Sequence, residues 1–378
     1  MADTENNKNS NSPALRFHGF TDPWKPVTLG DVTFNFNRRN KECKEYPMYS
    51  VTNNRGFIPQ NEQFEDREMV GEDIKSYKII ERGEFAYNPA RINVGSIARY
   101  VGSEPCMISS LYVCFKPSNE VDGSFLLQFL KSPKANFYYN ANGEGGVRIY
   151  LFYPNFARIR TAIPSLSEQC KISSFLKLLD ERISTQRRLI EDLEKLKSSI
   201  AHHLFQQSAP ILPLGELASV TNGNADVQDA IENYEMGLYP FFDRSEQIKY
   251  LNKFYLDKVA IIYAGEGQNF FPRYFEGKFA LHQRCYAIYD FDEQILPRYC
   301  YHYMQQLNCY FQKTAVGSTV ASLRMNNFLN APIKLPSIST QKNIMSVLDS
   351  IEDLVHVEQR LLSNYIRQRQ YLLCKLFI

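Results

Sequence analysis

The chain of 378 residues carries 43 Lys and Arg against 41 Asp and Glu, which gives a net charge of +2. This length predicts two or three domains, and the near balance of charge excludes a global electrostatic field, so any nucleic-acid surface must be a local patch. Eight cysteines without a C-x-x-C pair, and no apolar run of membrane-spanning length, predict reduced thiols, no metal site and a cytoplasmic location.

The first part of the chain is predicted to be a flexible tail followed by a globular domain. Residues 1–22 begin with an Asn- and Ser-rich stretch that offers almost nothing to a core. The first domain spans residues 23–162. Its predicted elements are strands at 76–80, 97–101 and 111–115 and a helix at 125–131.

The rest of the chain repeats this plan. A long helix is predicted for residues 163–207, a second domain for residues 208–334 and a second long helix for residues 335–378. The predicted elements of the second domain are strands at 259–263 and 285–289 and a helix at 297–306.

The two long helices are copies of each other. The motif Pro-Ser-x-Ser-x-Gln begins at Pro164 and again at Pro336, and this offset of 172 residues holds without a gap to the end of both helices. We expect Ser167 and Ser339 to be the N-caps, since each follows a proline and precedes the periodic segment.

Both helices show the four-three apolar spacing of a coiled coil. The seam residues are Ile172, Leu176, Leu179, Ile183, Ile190, Leu193, Ile200 and Leu204 in the first helix, and Ile344, Leu348, Ile351, Val355, Leu362, Tyr365, Leu372 and Leu376 in the second. Two polar residues interrupt each seam at equivalent places. They are Gln186 and Lys197 in the first helix and Glu358 and Arg369 in the second.

These interruptions favour an antiparallel pairing. A parallel pairing in register would place Lys197 beside Arg369, two like charges in a partly dry seam. An antiparallel pairing sets Lys197 against Glu358 and Gln186 against Arg369, which predicts a coiled coil about 60 Å long. The alternative is that each helix packs only against its own domain, and that the charged groups of the polar seam side chains extend into solvent.

Together these patterns predict an α+β fold with a pseudo-two-fold internal repeat. It would contain two domains of mixed or antiparallel sheet plus helices, separated by two long helices that form an antiparallel coiled coil.

No catalytic residues can be assigned from the sequence. There is no phosphate-binding loop, and residues 143–146 lack the lysine that such a loop requires. Asn88–Arg91 lacks the second proline and the aromatic residue of the amino-methyltransferase motif, and Gly265–Gly267 is too short for a cofactor loop. His202 and His203 are expected to be solvated at the end of the first helix.

Polar and basic residues mixed with aromatic residues occur in both domains. In the first domain the candidate DNA-binding residues are Tyr49, Asn53, Asn54, Arg55, Lys75, Tyr77, Lys78, Asn88, Arg91 and Arg99. In the second domain they are Arg244, Gln268, Arg273, His282, Gln283, Arg284, Ser318, Thr319 and Arg324. Arginine can pair with guanine edges and Asn or Gln with adenine edges, while the other polar side chains suit phosphates. The alternative for any one of them is an ordinary surface or hydrogen-bonding role.

These motifs together resemble the specificity subunits of type I restriction-modification systems over essentially the whole chain. The residues that carry the resemblance are Leu15-Arg16-Phe17, Gly19-Phe20, Trp24, the Leu-Gly pairs at 29–30 and 214–215, both Pro-Ser-x-Ser-x-Gln motifs, 76–80, 83–89, 317–320 and Leu323-Arg324. The chain departs from the pattern at Thr340, which stands where the first copy has Glu168.

The resemblance implies that each domain reads one half of a bipartite double-stranded DNA target and that the helices fix the spacer. It also implies docking of two methylating subunits and, through them, of restriction subunits. S-adenosylmethionine, ATP and Mg would then bind only in those partners, and this chain would be non-catalytic, without a cofactor.

Two other functions stay open at this point. The duplicated domains could belong to a protein-interaction scaffold that binds no DNA, or the chain could be an enzyme with an unrecognised active site. A salt titration of DNA binding separates the scaffold from a DNA reader, and turnover by the purified chain would indicate the enzyme.

Overall fold

The computed structural model describes residues 12–60, 74–146, 149–317 and 319–378. The chain divides into two compact units. The first comprises Met1–Gln186 and Leu361–Ile378, and the second comprises Arg187–Arg360. Both boundaries fall inside long helices, so each long helix contributes one part to each unit.

The three strands and the short helix predicted for the first domain are present, each to within two residues at either end, and the first long helix is three residues shorter than predicted at each end. Its strands are β1 (Lys25–Thr28), β2 (Thr33–Phe36), β3 (Tyr49–Thr52), β4 (Gly56–Pro59), β5 (Lys78–Ile80), β6 (Phe85–Tyr87), β7 (Ile97–Arg99), β8 (Cys106–Ile108), β9 (Val113–Pro117) and β10 (Arg160–Ile163). Its helices are α1 (Leu29–Val32), α2 (Gly123–Leu130), α3 (Pro133–Asn142), α4 (Tyr153–Ala157) and the long helix α5 (Leu166–Leu204), which continues into the second unit.

An antiparallel sheet in the order β2-β9-β6-β7 forms the centre of the first unit. All three residues of β6 are buried, since successive side chains on a strand point to opposite faces and both faces are covered. Phe85 and Tyr87 join a large aromatic core that includes Phe115 and Phe156, while Ala86 packs in a smaller cluster on the other face. The outlying hairpin β3–β4 carries the polar turn discussed below.

The second unit is built around a larger sheet. Its strands are β11 (Ile211–Pro213), β12 (Ser219–Asn222), β13 (Tyr239–Phe242), β14 (Lys249–Leu251), β15 (Leu256–Ala264), β16 (Arg273–Leu281), β17 (Cys285–Tyr289) and β18 (Pro332–Lys334). Its helices are α6 (Pro297–Met304), α7 (Asn308–Thr314), α8 (Met325–Leu329) and the long helix α9 (Ile338–Lys375), which continues into the first unit.

Six of these strands form one sheet in the order β12-β17-β15-β16-β13-β14, antiparallel except for the parallel pair β13–β16. The central strand β15 is buried from Ala260 to Tyr263 because neighbours cover both of its faces. Tyr299 and Met304 of α6 pack on one side of the sheet, in the same core as Tyr263. The predicted mixture of antiparallel and parallel strands with helices is confirmed.

The long helices run antiparallel in both units, as predicted. In the first unit Asp180 pairs with Arg369, and two residues further along α5 the Arg182 guanidinium lies over the ring of Tyr365, which is earlier in α9. In the second unit Lys197 of α5 pairs with Glu352 of α9.

The predicted register of the helices is wrong by six residues. Lys197 pairs with Glu352 rather than Glu358, and Arg369 pairs with Asp180 rather than being set against Gln186. In both pairs the observed partner lies six residues earlier in the sequence than the predicted partner, so a single shift of one helix along the other accounts for both. The prediction matched the polar seam residues with each other, whereas each basic seam residue instead reaches an acidic residue beside the opposite seam.

A short helix of each domain completes these ion pairs, which explains the displaced register. In the first unit the amide of Gln128, from α2, donates to Asp180 at 3.2 Å and accepts from Arg369 at 3.2 Å. We call Asp180, Arg369 and Gln128 the first clasp. Residues from a domain distant in sequence therefore decide where the helices pair, which periodicity within the helices does not reveal.

The second clasp is larger and more buried. Besides Lys197 and Glu352 it contains Asp349 of α9 and Arg298 and His302 of α6. Arg298 donates to Glu352 at 3.1 Å and to Asp349 at 2.8 Å, and His302 Nε2 lies 2.7 Å from Asp349. His302 occupies the place that Gln128 holds in the first clasp, and its side chain is fully buried.

The second clasp makes the stability of the chain sensitive to mild acid. Burial lowers the pKa of His302 below its ordinary value of 6.5, although the hydrogen bond to Asp349 and the charge of Glu352 act in the opposite direction. As the pH falls through that ordinary value the unfolded chain takes up a proton that the folded chain does not, so the stability that His302 contributes at higher pH is lost.

We therefore expect the midpoint temperature of thermal unfolding to decrease as the pH is lowered from about 7.5 to about 5.5. Carboxyl groups ordinarily titrate below this range, so they should contribute little to the decrease. His302→Gln, which introduces the residue of the first clasp, should reduce this fall in a thermal melt at each pH. An equal fall in wild type and variant would show that His302 does not cause it.

Matching glutamines fix the start of each long helix. In the first unit the Gln169 side chain accepts from the Asp122 amide at 2.7 Å and donates to the carbonyl of Pro164 at 2.9 Å. Gln341 repeats both contacts in the second unit, with the Leu296 amide and the carbonyl of Pro336. The internal repeat therefore includes the junction between helix and domain.

The N-caps lie two residues earlier than predicted. The helices begin at Leu166 and Ile338, so Ser165 and Ser337 hold the cap positions instead of Ser167 and Ser339. The Ser165 hydroxyl accepts from the Glu168 amide at 3.4 Å, and Ser337 accepts from the Thr340 amide at 3.3 Å. Both serines of each motif satisfied the sequence criterion, so the pattern alone did not distinguish them.

Part of the predicted N-terminal tail is well packed. Residues 1–11 lie outside the described part of the chain, but Arg16 forms an ion pair at 2.7 Å with the buried Glu168, and the Phe17 ring meets Phe175 edge-on at 5.5 Å. The Leu15 amide donates to the carbonyl of Lys375 at 3.1 Å. The prediction of a flexible tail that extends to residue 22 is therefore wrong, because the side chains of Arg16 and Phe17 contact residues of the first long helix.

Candidate nucleic-acid interfaces

The turn between β3 and β4 forms one side of a polar cleft in the first unit. The Thr52 hydroxyl accepts from the Arg55 amide at 3.2 Å and donates to the carbonyl of Gly56 at 3.1 Å, which holds the turn closed. Gly56 has a φ of +69°, a value that favours glycine. The tight turn places Asn53, Asn54 and Arg55 at the rim of a cleft of about 530 Å³.

The other side of this cleft comes from the segment that follows β6. The Asn88 side chain accepts from the Ala90 amide at 3.0 Å, and the carbonyl of Arg91 accepts from the Ser96 amide at 3.0 Å. Asn88 and Arg91 therefore line the cleft from a stiff turn. The structure thus brings together five of the ten residues predicted for this domain, including the complete Asn-Asn-Arg cluster.

The other five predicted residues do not line this cleft. They are Tyr49, Lys75, Tyr77, Lys78 and Arg99. The Lys78 ammonium donates to the carbonyl of Tyr112 at 2.5 Å, and Arg99 donates to Ser124 at 3.1 Å while its Nε is buried. Lys78 and Arg99 therefore form hydrogen bonds within the first unit, away from the cleft, and their assignment as DNA-binding residues stays a prediction. Tyr49 packs edge-on against Tyr100, and Lys75 is exposed on a short helical turn.

The second unit has its own cleft, of about 550 Å³, beside the turn between β16 and β17. The Cys285 amide donates to the carbonyl of His282 at 2.8 Å, and the Arg284 amide donates to His282 Nδ1 at 3.2 Å. This compact turn presents His282, Gln283 and Arg284 to the cleft, and Arg244 lines it from the end of β13.

Four further residues predicted for the second domain lie outside the lining of this cleft. The Arg273 guanidinium donates to the carbonyl of Ser245 and its Nη1 is buried, and the assignment of Arg273 as a DNA-binding residue stays a prediction. Gln268, Thr319 and Arg324 are exposed on nearby segments. Ser318 lies outside the described residues.

Sequence reasoning missed the acidic residues of the second cleft. Burial alone would raise the pKa of Asp243, but hydrogen bonds from Lys249 and Ser245 outweigh it and hold that pKa below its ordinary value. Asp243 therefore stays ionised and neutralises Lys249, at 2.8 Å. Glu266 pairs with Arg284 at 2.7 Å. In the sequence, Glu266 stands out only by its position between two glycines, and this pattern is too short to indicate a cofactor loop.

The lining of the first cleft contains no acidic side chain among the described residues. It adds Gln60, Ser96 and Tyr112 to the predicted amides and arginines. Each unit therefore has a cleft rich in amide and guanidinium donors, but the two clefts differ in charge and in the residues that line them.

Comparison with known proteins also divides the chain into two similar parts, because one family model matches it twice. Residues 21–195 and 211–364 match the family model described as the type I restriction modification DNA specificity domain. The chain is 31% identical over 140 residues to the type I restriction enzyme EcoDI specificity subunit of Escherichia coli. This aligned stretch is 36% of the present chain and about 30% of the length of that relative.

Solved structures with the same fold cover nearly the whole chain. The S subunit of a type I restriction-modification system from M. genitalium has a TM-score of 0.62 and 15% identity, covering 97% of this chain and 99% of that one. A chain from a structural study of complex assembly and conformational transition in the type I R-M system has a TM-score of 0.58 and 16% identity, covering 94% and 98%.

No helix in the described segments is both long enough and apolar enough to cross a membrane. The family model accounts for most of the sequence in two separate matches, and each match includes one of the clefts. The chain therefore belongs to the family of type I restriction modification DNA specificity domains, and it carries two copies of that domain.

Proposed function

We propose that this chain is the DNA sequence-specificity subunit of a type I restriction-modification complex and that each unit reads one half of a bipartite target. The observation that carries this proposal is the presence of one donor-rich cleft in each copy of a DNA specificity domain. The two clefts are lined by different residues, as two different half-sites require.

The chemistry of the clefts suits the edges of bases. Asn53, Asn54 and Asn88 can each donate and accept in the way that adenine requires, and Arg55 and Arg91 can donate to guanine. Arg244, Gln283 and Arg284 offer the same chemistry in the second unit. Because tight turns hold these residues, little ordering should be needed when DNA binds.

The long helices would set the spacer between the half-sites. Each is a single helix, of 39 residues in α5 and 38 in α9. Each domain is fixed to its own part of the helix pair by a clasp and by the Gln169 or Gln341 junction. Helix length should therefore control spacer length, while the clefts control half-site identity.

The same helices offer a surface for two methylating subunits, which would in turn bring restriction subunits. Apolar side chains remain exposed on both helices outside the seam. They are Phe175, Leu178, Leu189 and Leu196 on α5 and Val347, Leu354, Val357 and Tyr371 on α9. Exposed apolar stripes of this kind fit partner helices. S-adenosylmethionine, ATP and Mg would act in those partners, and this chain would contribute recognition without catalysis.

We expect Leu178→Glu to reduce co-purification of a methylating subunit strongly, since Leu178 is 64% exposed and would carry a charge into an apolar interface. Ser184→Glu is the matched control for added charge, since Ser184 is also exposed on α5 but lies on a different side of the helix from Leu178. Thermal melting should be unchanged in both. Full recovery of the partner with the Leu178 variant would exclude this surface.

A DNA-binding titration tests the function itself. The complex of this chain with its methylating subunits should bind one bipartite duplex roughly a thousandfold or more tightly than unrelated DNA, with an affinity that falls steeply as salt rises. The purified chain alone should show no methylation or cleavage. Binding that is equal for all duplexes would instead favour a protein-interaction scaffold.

A further inference from the structure

The segment Gly265–Gly267 is held in place on both sides at the wall of the second cleft. The Gly265 amide donates to the carbonyl of Arg284 at 2.8 Å, and the Gly265 carbonyl accepts from Leu323 at 2.7 Å. The Gly267 amide donates to the carbonyl of Ala321 at 3.1 Å. Glu266 therefore projects from a backbone that the 282–285 turn and residues 321–323 fix together.

The two glycines permit this close approach. A Cβ at Gly265 would lie 2.4 Å from the carbonyl oxygen of Arg284, and Gly267 has a φ of +154°. A side chain at residue 265 would push the segment away from the turn. The Gly-Glu-Gly sequence therefore places a carboxylate next to Arg284.

The Glu266 carboxylate holds Arg284 by one nitrogen. Arg284 Nη1 donates to both carboxylate oxygens, at 2.7 and 2.9 Å. Among the described residues, Glu266 is the only hydrogen-bond acceptor of this guanidinium, and its Nη2 and Nε donors face no protein acceptor. The Arg284 side chain is 62% exposed, whereas that of Glu266 is only 21% exposed.

Two neighbouring N–H donors on one edge match the O6 and N7 acceptors of guanine in the major groove. The carboxylate restricts the rotation of the guanidinium before DNA arrives, which lowers the entropy that binding must remove. Its negative charge also repels phosphates, so it opposes non-specific contacts with the DNA backbone.

We propose that Arg284 reads a guanine in the half-site bound by the second unit and that Glu266 is the positioning residue for this contact. This inference rests on the proposed function and adds the base and the residue that directs its reader. Among the described residues the first cleft has no acidic lining residue, so within that part of the chain only the second cleft shows this arrangement.

The experiment uses the complex of this chain with its methylating subunits. Selection from a pool of random duplexes first defines the bipartite target. Every base pair of each half-site is then substituted singly, and the affinity of wild type, Glu266→Gln, Arg284→Met and Asp290→Asn is measured for each duplex. Asp290 forms an exposed ion pair with Lys258 elsewhere in the second unit, so its variant controls for the loss of a surface carboxylate.

Wild type should discriminate roughly 10- to 100-fold at one G·C pair of a single half-site. Glu266→Gln should reduce that ratio several-fold at the same pair and raise affinity for the substituted duplexes. Arg284→Met, which has no N–H donor, should remove most of the ratio there, and Asp290→Asn should keep the wild-type profile. These outcomes together would support the assignment.

Other results would overturn it. A Glu266 variant with the wild-type ratio at every position, or with equal loss of affinity for all duplexes, would exclude the positioning role. An Arg284→Met variant that keeps the G·C preference would exclude guanine reading, because methionine has no N–H donor for O6 or N7. If the wild-type complex shows no sequence preference at all, the proposed function itself is wrong. This result differs from the outcomes that exclude only the role of Glu266 or of Arg284.

Discussion

Glu352→Gln should lower the free energy of unfolding of the second unit by about 3 kcal/mol, because removing one partner of a buried ion pair leaves the other charges uncompensated. Lys197, Arg298 and the Tyr301 hydroxyl all donate to this carboxylate, and only 10% of its side chain is exposed. Burial alone would raise the pKa of Glu352, but the bond from Lys197 and the neighbouring positive charges lower it.

A shift of the thermal midpoint by roughly 10 °C corresponds to such a loss in a domain of this size. Glu358→Gln is the matched control, since Glu358 was the predicted partner of Lys197 and should cost clearly less. The double variant Lys197→Met with Glu352→Leu should recover part of the loss, because apolar residues can replace a buried pair. A larger cost at Glu358 than at Glu352 would support the register predicted from sequence.

The first clasp provides a comparison within the same chain. Asp180 is 38% exposed, so solvent screens its pair with Arg369 more than it screens the second clasp. We therefore expect Asp180→Asn to cost only about 1 kcal/mol in the same denaturation experiment.

Inserting one heptad into both long helices should lengthen the preferred DNA spacer while leaving both half-sites unchanged. Insertions after Gln186 and after Arg360 fall at the unit boundaries, so they leave each clasp and each cleft within its own unit. Seven residues add about 10 Å of helix, which is close to 3 base pairs of DNA. Affinity for the original spacer should fall at least roughly tenfold, since both half-sites can no longer be reached together.

Selection from duplexes with spacers of different length measures this effect. An insertion in α5 alone is the control, because it disrupts the antiparallel register and should reduce stability instead of producing a new spacer preference. An unchanged spacer with both helices lengthened would show that the helices do not set it. Altered half-sites would place recognition outside the clefts.

The candidate sites show which binding residues can be predicted from the local sequence and which cannot. Asn53, Asn54 and Arg55 could be predicted as a group because they are adjacent on a turn, and the structure keeps them together at a cleft. Lys78 and Arg99 had the same residue chemistry but lie on strands away from the cleft, where they donate to the Tyr112 carbonyl and to Ser124. Glu266 meets Arg284 across 18 residues of sequence, a contact that only the path of β15, β16 and β17 creates.

The sequence by itself determined the duplicated long helices, their antiparallel direction and the α+β character of both domains, because helical periodicity and strand propensity are local properties repeated along the chain. The tertiary structure alone decided the register of the helices, since Gln128 and Arg298 reach the pairs Asp180–Arg369 and Lys197–Glu352 from domains far away in sequence. It also decided which polar side chains face a cleft, because burial depends on neighbours that a local pattern does not specify.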